Sequence, residues 1–399
     1  MATILVLNHQ APFPVRCGNT LRVYNLCNVL STSHSLVACF SGENSDGSVP
    51  LSPTAGDVFR KSLVLPRMNG KASWKRFLRP LEGHLVKRFN PSFWKQIRNE
   101  LMRVIDGEKA DAVLVTSLKM AEFVAGMNLN NTRTVLDICD SRTLTLEREY
   151  AADQQMNYWE RMHRRLYLAR ARRDERNVTE KFDAVTAVSP VDLARLKALN
   201  RQHGKLHLVP NGVRLPAQVP CPEQKRAVIF WGALDFPPNS TAVRYFLEEA
   251  WPMLRQKAVR WYVVGKNAPD WLLQAAKKDD ALILTGFLED LHAFAATVPV
   301  MINPMRMGSG LKNKVLEAFS MERAVVSTDM GMEAIQAEAG THYVRANTGV
   351  EFVENILRLL DNPQRCRDLG LASRSMVARE YTWEKAASRL EPLLIGEPK

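Results

Sequence analysis

Short apolar runs alternate with segments of helical periodicity along almost the whole chain. The first runs are Thr3 to Asn8 and His34 to Ser41, and similar runs recur to the end of the sequence. Such an alternation is typical of α/β proteins with parallel sheets, because each parallel connection needs a crossover, usually a helix. With 399 residues, the chain is long enough for two domains of this kind.

One stretch, residues 298–329, joins these elements to candidate chemistry; it reads VPVMINPMRMGSGLKNKVLEAFSMERAVVSTD. Its pattern predicts a strand, a Gly-Ser-Gly loop, an amphipathic helix and a second strand. Gly308 and Gly310 leave the loop without Cβ atoms, so its backbone can approach a ligand closely. The first N–H groups of the helix point to the same place, with the positive end of the helix dipole behind them. The pattern therefore predicts an anion-binding site.

Two lysines stand on the first turn of that helix, where an isolated helix end would favour acidic residues. Lys312 and Lys314 are unfavourable there unless a strongly negative group, such as a diphosphate, neutralises both. Glu317 follows Lys314 at i+3 on the same face, within reach of hydroxyl groups on the molecule that carries the diphosphate. The alternative is an ordinary crossover with solvated lysines, because glycine-rich loops before helices are common.

The longer string GSGLKNKVLEAFSMERAVVSTDMGMEAI resembles the donor-binding signature of retaining glycosyltransferases of family 4. It is similar to the subset that reads GSGxKxKVLEA at this point. Glu317 matches the second glutamate of the family's better-known pattern, whereas Ser309 stands where that pattern has its first. The resemblance implies the GT-B fold, an α/β architecture of two Rossmann-like domains whose parallel sheets face a central cleft.

The same resemblance implies a sugar nucleotide as the donor substrate, held mainly by the second domain, with no cofactor and no metal. The implied catalytic residues are Lys312, Lys314 and Asp140. The implied donor-binding residues are Gly232, Asn239, Gly286, Phe287, Gly308, Ser309, Gly310, Leu311 and Glu317. Gly18 and Arg22 match the family's first loop, which implies a position near the acceptor, although a plain turn is the alternative for Gly18.

Two aspartates close the strand that the pattern predicts over residues 134–138. Asp137 and Asp140 are three positions apart, but a carboxylate pair without a third ligand is weak evidence for a metal. The family places an acidic residue or a histidine at this strand end, which makes Asp140 the candidate site residue. Asp137, inside the strand pattern, is the candidate for a buried, structural role.

The segment KLHLVPNGV matches the family's interdomain hinge, and a Pro-containing stretch follows it. We therefore expect an N-terminal acceptor-binding domain over residues 1–213 and a C-terminal sugar-nucleotide-binding domain over residues 214–380. A terminal helix over residues 381–399 is expected to pack back toward the N-terminal domain. Asn239 or Ser240 is expected to cap the first helix of the second domain.

The net charge of +12 is unevenly distributed. Residues 1–215 contain 32 Lys and Arg against 20 Asp and Glu, so the remainder holds 22 of each sign. The six cysteines are scattered without metal or disulfide spacing, which indicates reduced thiols and a cytoplasmic protein. The opening residues lack a basic segment and a cleavage site, and no apolar run reaches the length of a bilayer span.

Residues 59–98 interleave basic and large aromatic side chains. The set comprises Trp74, Lys75, Arg76, Phe77, Arg79, Lys87, Arg88, Phe89, Phe93, Trp94, Lys95 and Arg98. This composition suits the anionic inner face of a membrane and would also suit single-stranded nucleic acid. The alternative is a set of amphipathic helices with the aromatic residues in the core. For the arginine-rich region over residues 142–182, solvated helix faces with acidic partners are the favoured interpretation.

These features lead to one function and two alternatives. We expect a glycosyltransferase, peripheral at the inner face of the membrane, that acts on a lipid-linked or polysaccharide precursor of cell-surface glycans. The resemblance implies that the anomeric configuration is retained. The alternatives are a GT-B sugar-nucleotide epimerase, which has no need of the aromatic and basic segment, and a non-catalytic nucleic-acid-binding protein. No recognised nucleic-acid-binding module is present, so no nucleic acid partner is expected.

Overall fold

A computed structural model describes residues 1–13, 15, 17–40, 58–65, 83–129, 131–152, 157–223 and 226–396, with the backbone alone at residues 83–85 and 152. The chain forms two compact units. Unit 1 comprises Met1–Asn211 together with Trp383–Lys399, and unit 2 comprises Gly212–Thr382. The boundaries expected after residues 213 and 380 lie two residues from these divisions.

Unit 1 is built on a seven-stranded sheet in the order β3-β2-β1-β4-β5-β6-β7, and every neighbouring pair is parallel. Its strands are β1 (Thr3–Asn8), β2 (Ser35–Phe40), β3 (Lys61–Val64), β4 (Ala112–Val115), β5 (Arg133–Ile138), β6 (Ala184–Ala187) and β7 (Leu206–Leu208). Its first helices are α1 (Gly18–Leu30), α2 (Gly83–Phe89), α3 (Pro91–Gly107), α4 (Leu118–Val124), α5 (Arg142–Ala152), α6 (Tyr158–Thr179) and α7 (Pro190–Leu199).

Unit 2 is built on a six-stranded parallel sheet in the order β10-β9-β8-β11-β12-β13. Its strands are β8 (Ala227–Trp231), β9 (Arg260–Val264), β10 (Leu282–Gly286), β11 (Val300–Asn303), β12 (Ala324–Ser327) and β13 (Val344–Arg345). Its helices are α8 (Pro237–Glu249), α9 (Trp251–Arg255), α10 (Asp270–Lys278), α11 (Leu291–Ala296), α12 (Asn313–Ser320), α13 (Asp329–Met332), α14 (Gly349–Leu360) and α15 (Pro363–Glu380).

The apolar runs of the sequence become strands that are covered on both faces. In β8, Val228 and Phe230 enter one hydrophobic cluster of unit 2, whereas Ile229 and Trp231 enter the cluster on the opposite face. Successive side chains of a strand point to opposite faces, so a strand that lies between two helical layers must be apolar throughout. The predicted α/β fold with two parallel, Rossmann-like sheets is confirmed.

The last helix of the chain, α16 (Trp383–Ile395), belongs to unit 1. Its apolar face joins the cluster that contains α1, with Leu390 and Leu394 fully buried there. Glu391 on the same helix accepts a hydrogen bond at 2.7 Å from His34 Nε2, on the turn that precedes β2. The terminal helix is thus part of the hydrophobic core of unit 1.

Candidate active site

The donor-binding candidates gather at one edge of the unit 2 sheet. All six strands are parallel, so their carboxyl ends, and the loops that follow them, lie along the same edge. Gly232 follows β8, Gly286 ends β10, and the loop with Gly308 follows β11. A Cβ atom on Gly308 would lie 3.5 Å from the side chain of Pro238, so this loop runs against the first turn of α8.

The glycine-rich loop needs its glycines for its backbone conformation. Gly308 and Gly310 have φ angles of 119° and 67°, which side chains with a Cβ atom rarely adopt. Between them, Ser309 is half-buried, and Leu311 packs against the hydrophobic cluster on one face of the sheet. The loop therefore presents backbone beside two helix N-termini, those of α8 and α12.

Lys312 is the N-cap residue of α12, and its side chain turns back on the loop. Its Nζ atom donates hydrogen bonds to the carbonyl oxygens of Ser309, at 2.8 Å, and of Gly310, at 3.0 Å. The residue is only 8% exposed. Lys312 thus fixes the conformation of the loop and places a buried cation directly behind it.

Lys314 lies two residues further, and its ammonium group is surrounded by protein atoms. Nζ donates a hydrogen bond to Asn239 Oδ1 at 2.6 Å and lies 4.1 Å from the centre of the Phe230 ring. Burial, and then the nearby charge of Lys312, lower the pKa of Lys314 from 10.5 to about 7, against the opposing effect of Glu317. The negative charge of a diphosphate at this point would stabilise the charged form of Lys314.

Asn239 does not cap α8, and the expected cap at Asn239 or Ser240 is wrong. The helix begins earlier, at Pro237, with Phe236 as its N-cap residue. Two prolines fit this first turn because its N–H groups have no partner within the helix. The Asn239 side chain is consequently available to accept from Lys314 and to donate to the Ala233 carbonyl oxygen at 2.9 Å.

Gly232 makes room for this asparagine. A Cβ atom at Gly232 would lie 2.6 Å from Asn239 Nδ2, and the backbone has a φ of 153°. The Gly232 N–H donates to the Val264 carbonyl oxygen at 3.0 Å, which ties the loop after β8 to the end of β9. The family match at Gly232 thus coincides with a close approach of the Asn239 amide.

Glu317 is held by a residue that the sequence did not single out. Trp231, the last residue of β8, donates from Nε1 to Glu317 Oε2 at 2.8 Å. The indole is buried, whereas Glu317 is half-buried, so one carboxylate oxygen is engaged by the protein. The sequence pattern cannot single out this tryptophan, because it does not show which helix the indole N–H faces.

Gly286 and Phe287 form the part of the edge that follows β10. Gly286 has a φ of 70°, and the space around its Cα is open. Phe287 is 62% exposed, with the Lys266 ammonium 4.0 Å from the centre of its ring. An exposed ring beside a cation offers a flat surface to an aromatic ligand group. Lys266, which follows β9, is a second residue that the sequence did not single out.

In unit 1, the guanidinium group of Arg22 is completely buried and forms two hydrogen bonds of 2.7 Å with the carboxylate of Asp137. Arg22 also donates to Asn211 Oδ1 at 2.8 Å, and Thr186 donates to the same aspartate. Asp137 is therefore buried and structural, as the strand pattern predicted. The acceptor-binding role of Arg22 stays a prediction.

The other two candidates of unit 1 are exposed. Gly18 is the first residue of α1, and Asp140 lies two residues beyond the end of β5. The residue after Asp140, Ser141, is fixed: its N–H donates to Asp192 at 3.0 Å and its hydroxyl donates to Glu175 at 3.2 Å. Burial raises the pKa of Glu175. The predicted roles of Gly18 and Asp140 stay predictions.

Sequence comparison relates unit 2 to a known family. Residues 225–362 match the family described as Glycosyl transferases group 1. A Klebsiella pneumoniae protein, described as an uncharacterised 44.6 kDa protein in the cps region, is 27% identical over 172 residues. That alignment covers 41% of this chain and 44% of the relative, so the similarity spans less than half the length of that curated protein.

Solved structures resemble the whole chain. Sucrose-phosphate synthase from Thermosynechococcus elongatus has a TM-score of 0.73 at 15% identity, with 98% of each chain covered. Anabaena Alr3699/HepE, solved in complex with UDP and glucose, has a TM-score of 0.68 at 12% identity, with 99% of each chain covered. The chain therefore has the fold of the GT-B glycosyltransferases, and its residues 225–362 match the family of Glycosyl transferases group 1.

Proposed function

We propose that the protein is a glycosyltransferase that moves a sugar from a nucleoside diphosphate sugar to a glycan or lipid-linked acceptor. One observation carries the proposal. Within the segment that matches the family, a cation with a depressed pKa, Lys314, lies at the N-terminus of α12 behind a glycine-rich loop. Such a site favours the binding of an anionic ligand.

The proposed chemistry acts on the leaving group. As the bond between the sugar C1 and the diphosphate oxygen breaks, negative charge grows on that oxygen. The Lys314 ammonium and the N–H groups at the start of α12 stabilise this charge more in the transition state than in the ground state. Lys312 contributes a second positive charge, and its hydrogen bonds to Ser309 and Gly310 keep the loop in place.

Glu317 is proposed to bind the ribose hydroxyl groups of the donor. Its Oε2 accepts from Trp231, which fixes the carboxylate and leaves Oε1 for the ligand. Phe287 and Gly286 are proposed to contact the base. The HepE structure contains UDP and glucose, which makes UDP the first nucleotide to test here.

The acceptor is proposed to be a lipid-linked or polysaccharide precursor of cell-surface glycans. The acceptor hydroxyl would attack C1 from the face that the diphosphate leaves and pass its proton to the departing phosphate oxygen, with retention of configuration, and no metal would be required. Gly18 and Arg22 are the acceptor-side candidates of unit 1, and Asp140 is its candidate catalytic residue. The positive charge of residues 1–215 supports attachment to an anionic membrane surface, for which residues 59–98 are the proposed contact.

The direct test is sugar transfer by the full chain. A panel of labelled sugar nucleotides is incubated with the protein and bacterial membranes as the source of acceptor, with and without EDTA. We expect at least one donor to release its nucleoside diphosphate while the label enters the membrane fraction, at the same rate with EDTA. Epimerisation of the donor without release of nucleotide would overturn the proposal, and a requirement for magnesium or manganese would overturn its metal-free mechanism.

A further inference from the structure

The first half of helix α6 exposes large apolar side chains that a helix at a protein surface usually turns inward. Tyr158 is 68% exposed, Trp159 78% and Leu166 65%. Met162, between them, is 38% exposed. Exposed residues of this size together form a patch of the kind that marks an interaction surface.

These four residues lie on one side of the helix, here called the outer α6 face. Tyr158, Met162 and Leu166 are spaced at i, i+4 and i+8, which aligns them along the helix axis. The ring of Trp159 packs edge-on against that of Tyr158, with 5.7 Å between their centres. A capping box between Asn157 and Glu160 fixes the start of the helix. The outer α6 face is therefore a continuous apolar stripe on a well-formed helix.

Contacts with α5 and with the core hold the helix from the opposite side. Tyr167 accepts a hydrogen bond from Arg142 at 2.6 Å, and the Arg164 guanidinium stacks on Tyr150 at 4.9 Å. Further along α6, Ala171 and Val178 are buried in unit 1. The helix is thus fixed to unit 1 by its other side and by its second half, while the outer α6 face points away from these contacts.

Arginine dominates the charge around the stripe. The helix carries seven arginines and three acidic residues: Arg161, Arg164, Arg165, Arg170, Arg172, Arg173 and Arg176 against Glu160, Asp174 and Glu175. Two of the acids are committed elsewhere, because Glu160 caps the helix and Glu175 is buried under the start of α5. Arg170 and Arg173 share Asp174 at the loose distances of 3.8 and 3.9 Å. Arg172 forms an ion pair with Glu147 of α5 at 2.6 Å, and the remaining arginines leave the surroundings of the stripe positive.

We propose that the outer α6 face docks on a lipid bilayer that contains anionic headgroups. Trp and Tyr rings favour the headgroup level of a bilayer, Leu and Met side chains enter the acyl boundary, and arginines contact lipid phosphates. The charge and the apolar side chains of this face argue against two other binding partners. A second copy of the chain would bring the same arginines against each other, and a soluble polyanion would leave Leu166 and Met162 in water.

The outer α6 face lies outside residues 59–98, the segment whose composition predicts a membrane contact. Residues 66–82, with Trp74, Lys75, Arg76, Phe77 and Arg79, fall outside the described residues. In the described part, Phe93 is buried, and the half-buried Trp94 ring lies under Lys87 and Arg98 at 5.0 and 4.6 Å. Phe89 is the large aromatic side chain that the described part of this segment exposes. The inference deepens the membrane attachment proposed above, because it places the contact on the outer α6 face instead of residues 59–98, and its test is independent of sugar transfer.

The test is co-sedimentation of the full chain with vesicles of phosphatidylcholine, alone or mixed in equal parts with phosphatidylglycerol. We expect binding to the mixed vesicles that weakens with salt and is nearly lost on phosphatidylcholine. The double variant Trp159→Gln/Leu166→Gln keeps the net charge and removes two exposed apolar groups. Its partition onto mixed vesicles should fall at least ~10-fold, since each buried apolar side chain contributes roughly that factor.

A control removes two exposed apolar side chains from unit 2, Val350 at 58% and Leu371 at 52% exposure. Val350→Gln/Leu371→Gln should bind the mixed vesicles like the wild type. Unchanged thermal unfolding of all variants shows that the fold is intact, and the vesicle result holds whether or not the protein transfers sugar. Wild-type binding by the Trp159→Gln/Leu166→Gln variant would overturn the proposal. A further variant, Lys87→Gln/Arg88→Gln, changes residues 59–98. If this variant alone lost binding, the proposal would also be overturned and the contact would be assigned to residues 59–98.

Discussion

At the scale of single residues, Lys314 is the residue on which the proposed reaction depends most. Its ammonium lies over the Phe230 ring and donates a hydrogen bond to Asn239, and the nearby charge of Glu317 offsets only part of the effects that lower its pKa. A lysine is rarely kept in such surroundings for stability, because burial penalises its charged form. We infer that the cation is maintained for the ligand.

Replacing Lys314 with alanine tests that role in catalysis. We expect Lys314→Ala to lower turnover at saturating donor about 100-fold, the usual scale for one preorganised electrostatic contact. Lys277→Ala, at an exposed lysine near the end of α10, is the matched control and should leave turnover unchanged. Turnover near the wild-type value in Lys314→Ala would remove the lysine from the mechanism.

The depressed pKa of Lys314 makes donor binding depend on pH. The pKa is about 7 without ligand, and a bound diphosphate would raise it, so the lysine takes up a proton on binding when the pH is above 7. UDP affinity should therefore be greatest near and below pH 7 and should weaken above it, by up to about tenfold per pH unit. Lys314→Arg, which stays charged, should lose this slope.

Titration calorimetry in buffers of different ionisation enthalpy measures both the affinity and the protons taken up. Affinity that rises with pH, or the same slope in wild type and Lys314→Arg, would contradict the assignment of the titrating group to Lys314. The sequence alone supported the presence of this cation beside an anion site. It could not supply the pKa, because the largest cause of its shift is burial of the ammonium group, which only the folded structure shows.

At the scale of elements, two helix N-termini are set side by side by glycines. The loop before α12 runs against the start of α8, and Gly232 allows Asn239 of α8 to reach Lys314 of α12. The arrangement depends on the absence of a single Cβ atom more than on any one strong bond. Its disruption should therefore reach the ligand site without touching a charged residue.

Gly232→Ala makes that disruption. The new Cβ atom would lie 2.6 Å from Asn239 Nδ2, on a backbone with a φ of 153°, so Asn239 must move away from Lys314. We expect a loss of about 1–3 kcal/mol in the free energy of unfolding, typical of overpacking, together with weaker UDP binding. Gly107→Ala, where no atom lies within 4 Å of the new Cβ, is the control. Unchanged stability and binding in Gly232→Ala would refute this reading of the loop.

Helices and strands were predictable from the sequence where the apolar pattern fits only one type of secondary structure. The strands β1, β4, β8 and β11 are apolar runs that are almost wholly buried, and the glycines of the 308–310 loop mark its turn. The cap of α8 was wrong because Pro237 and Pro238 start the helix before the polar residues. The arginine-rich region was read as solvated helix faces, and the sequence could not show that Trp159 and Leu166 are exposed as well, because an apolar residue is assumed to point inward.

At the scale of the whole molecule, charge and ligand chemistry divide between the two units. The net positive charge lies in residues 1–215, whereas the anion site described above lies in unit 2. Within the part of the chain that the structure describes, each helix is too short or too polar to cross a bilayer. We therefore propose membrane attachment for unit 1 and donor binding for unit 2. A variant that loses one of these functions should keep the other.

The central claim is that the carboxyl edge of the unit 2 sheet binds the diphosphate of a sugar nucleotide. Calorimetric titration of the full chain, in EDTA, with nucleoside diphosphates and the matching monophosphates tests it most directly. We expect at least one nucleoside diphosphate, with UDP as the first candidate, to bind more tightly than its monophosphate. Lys314→Ala should remove most of this difference in affinity. Equal affinity for diphosphate and monophosphate, or an advantage of the diphosphate that survives in Lys314→Ala, would contradict it.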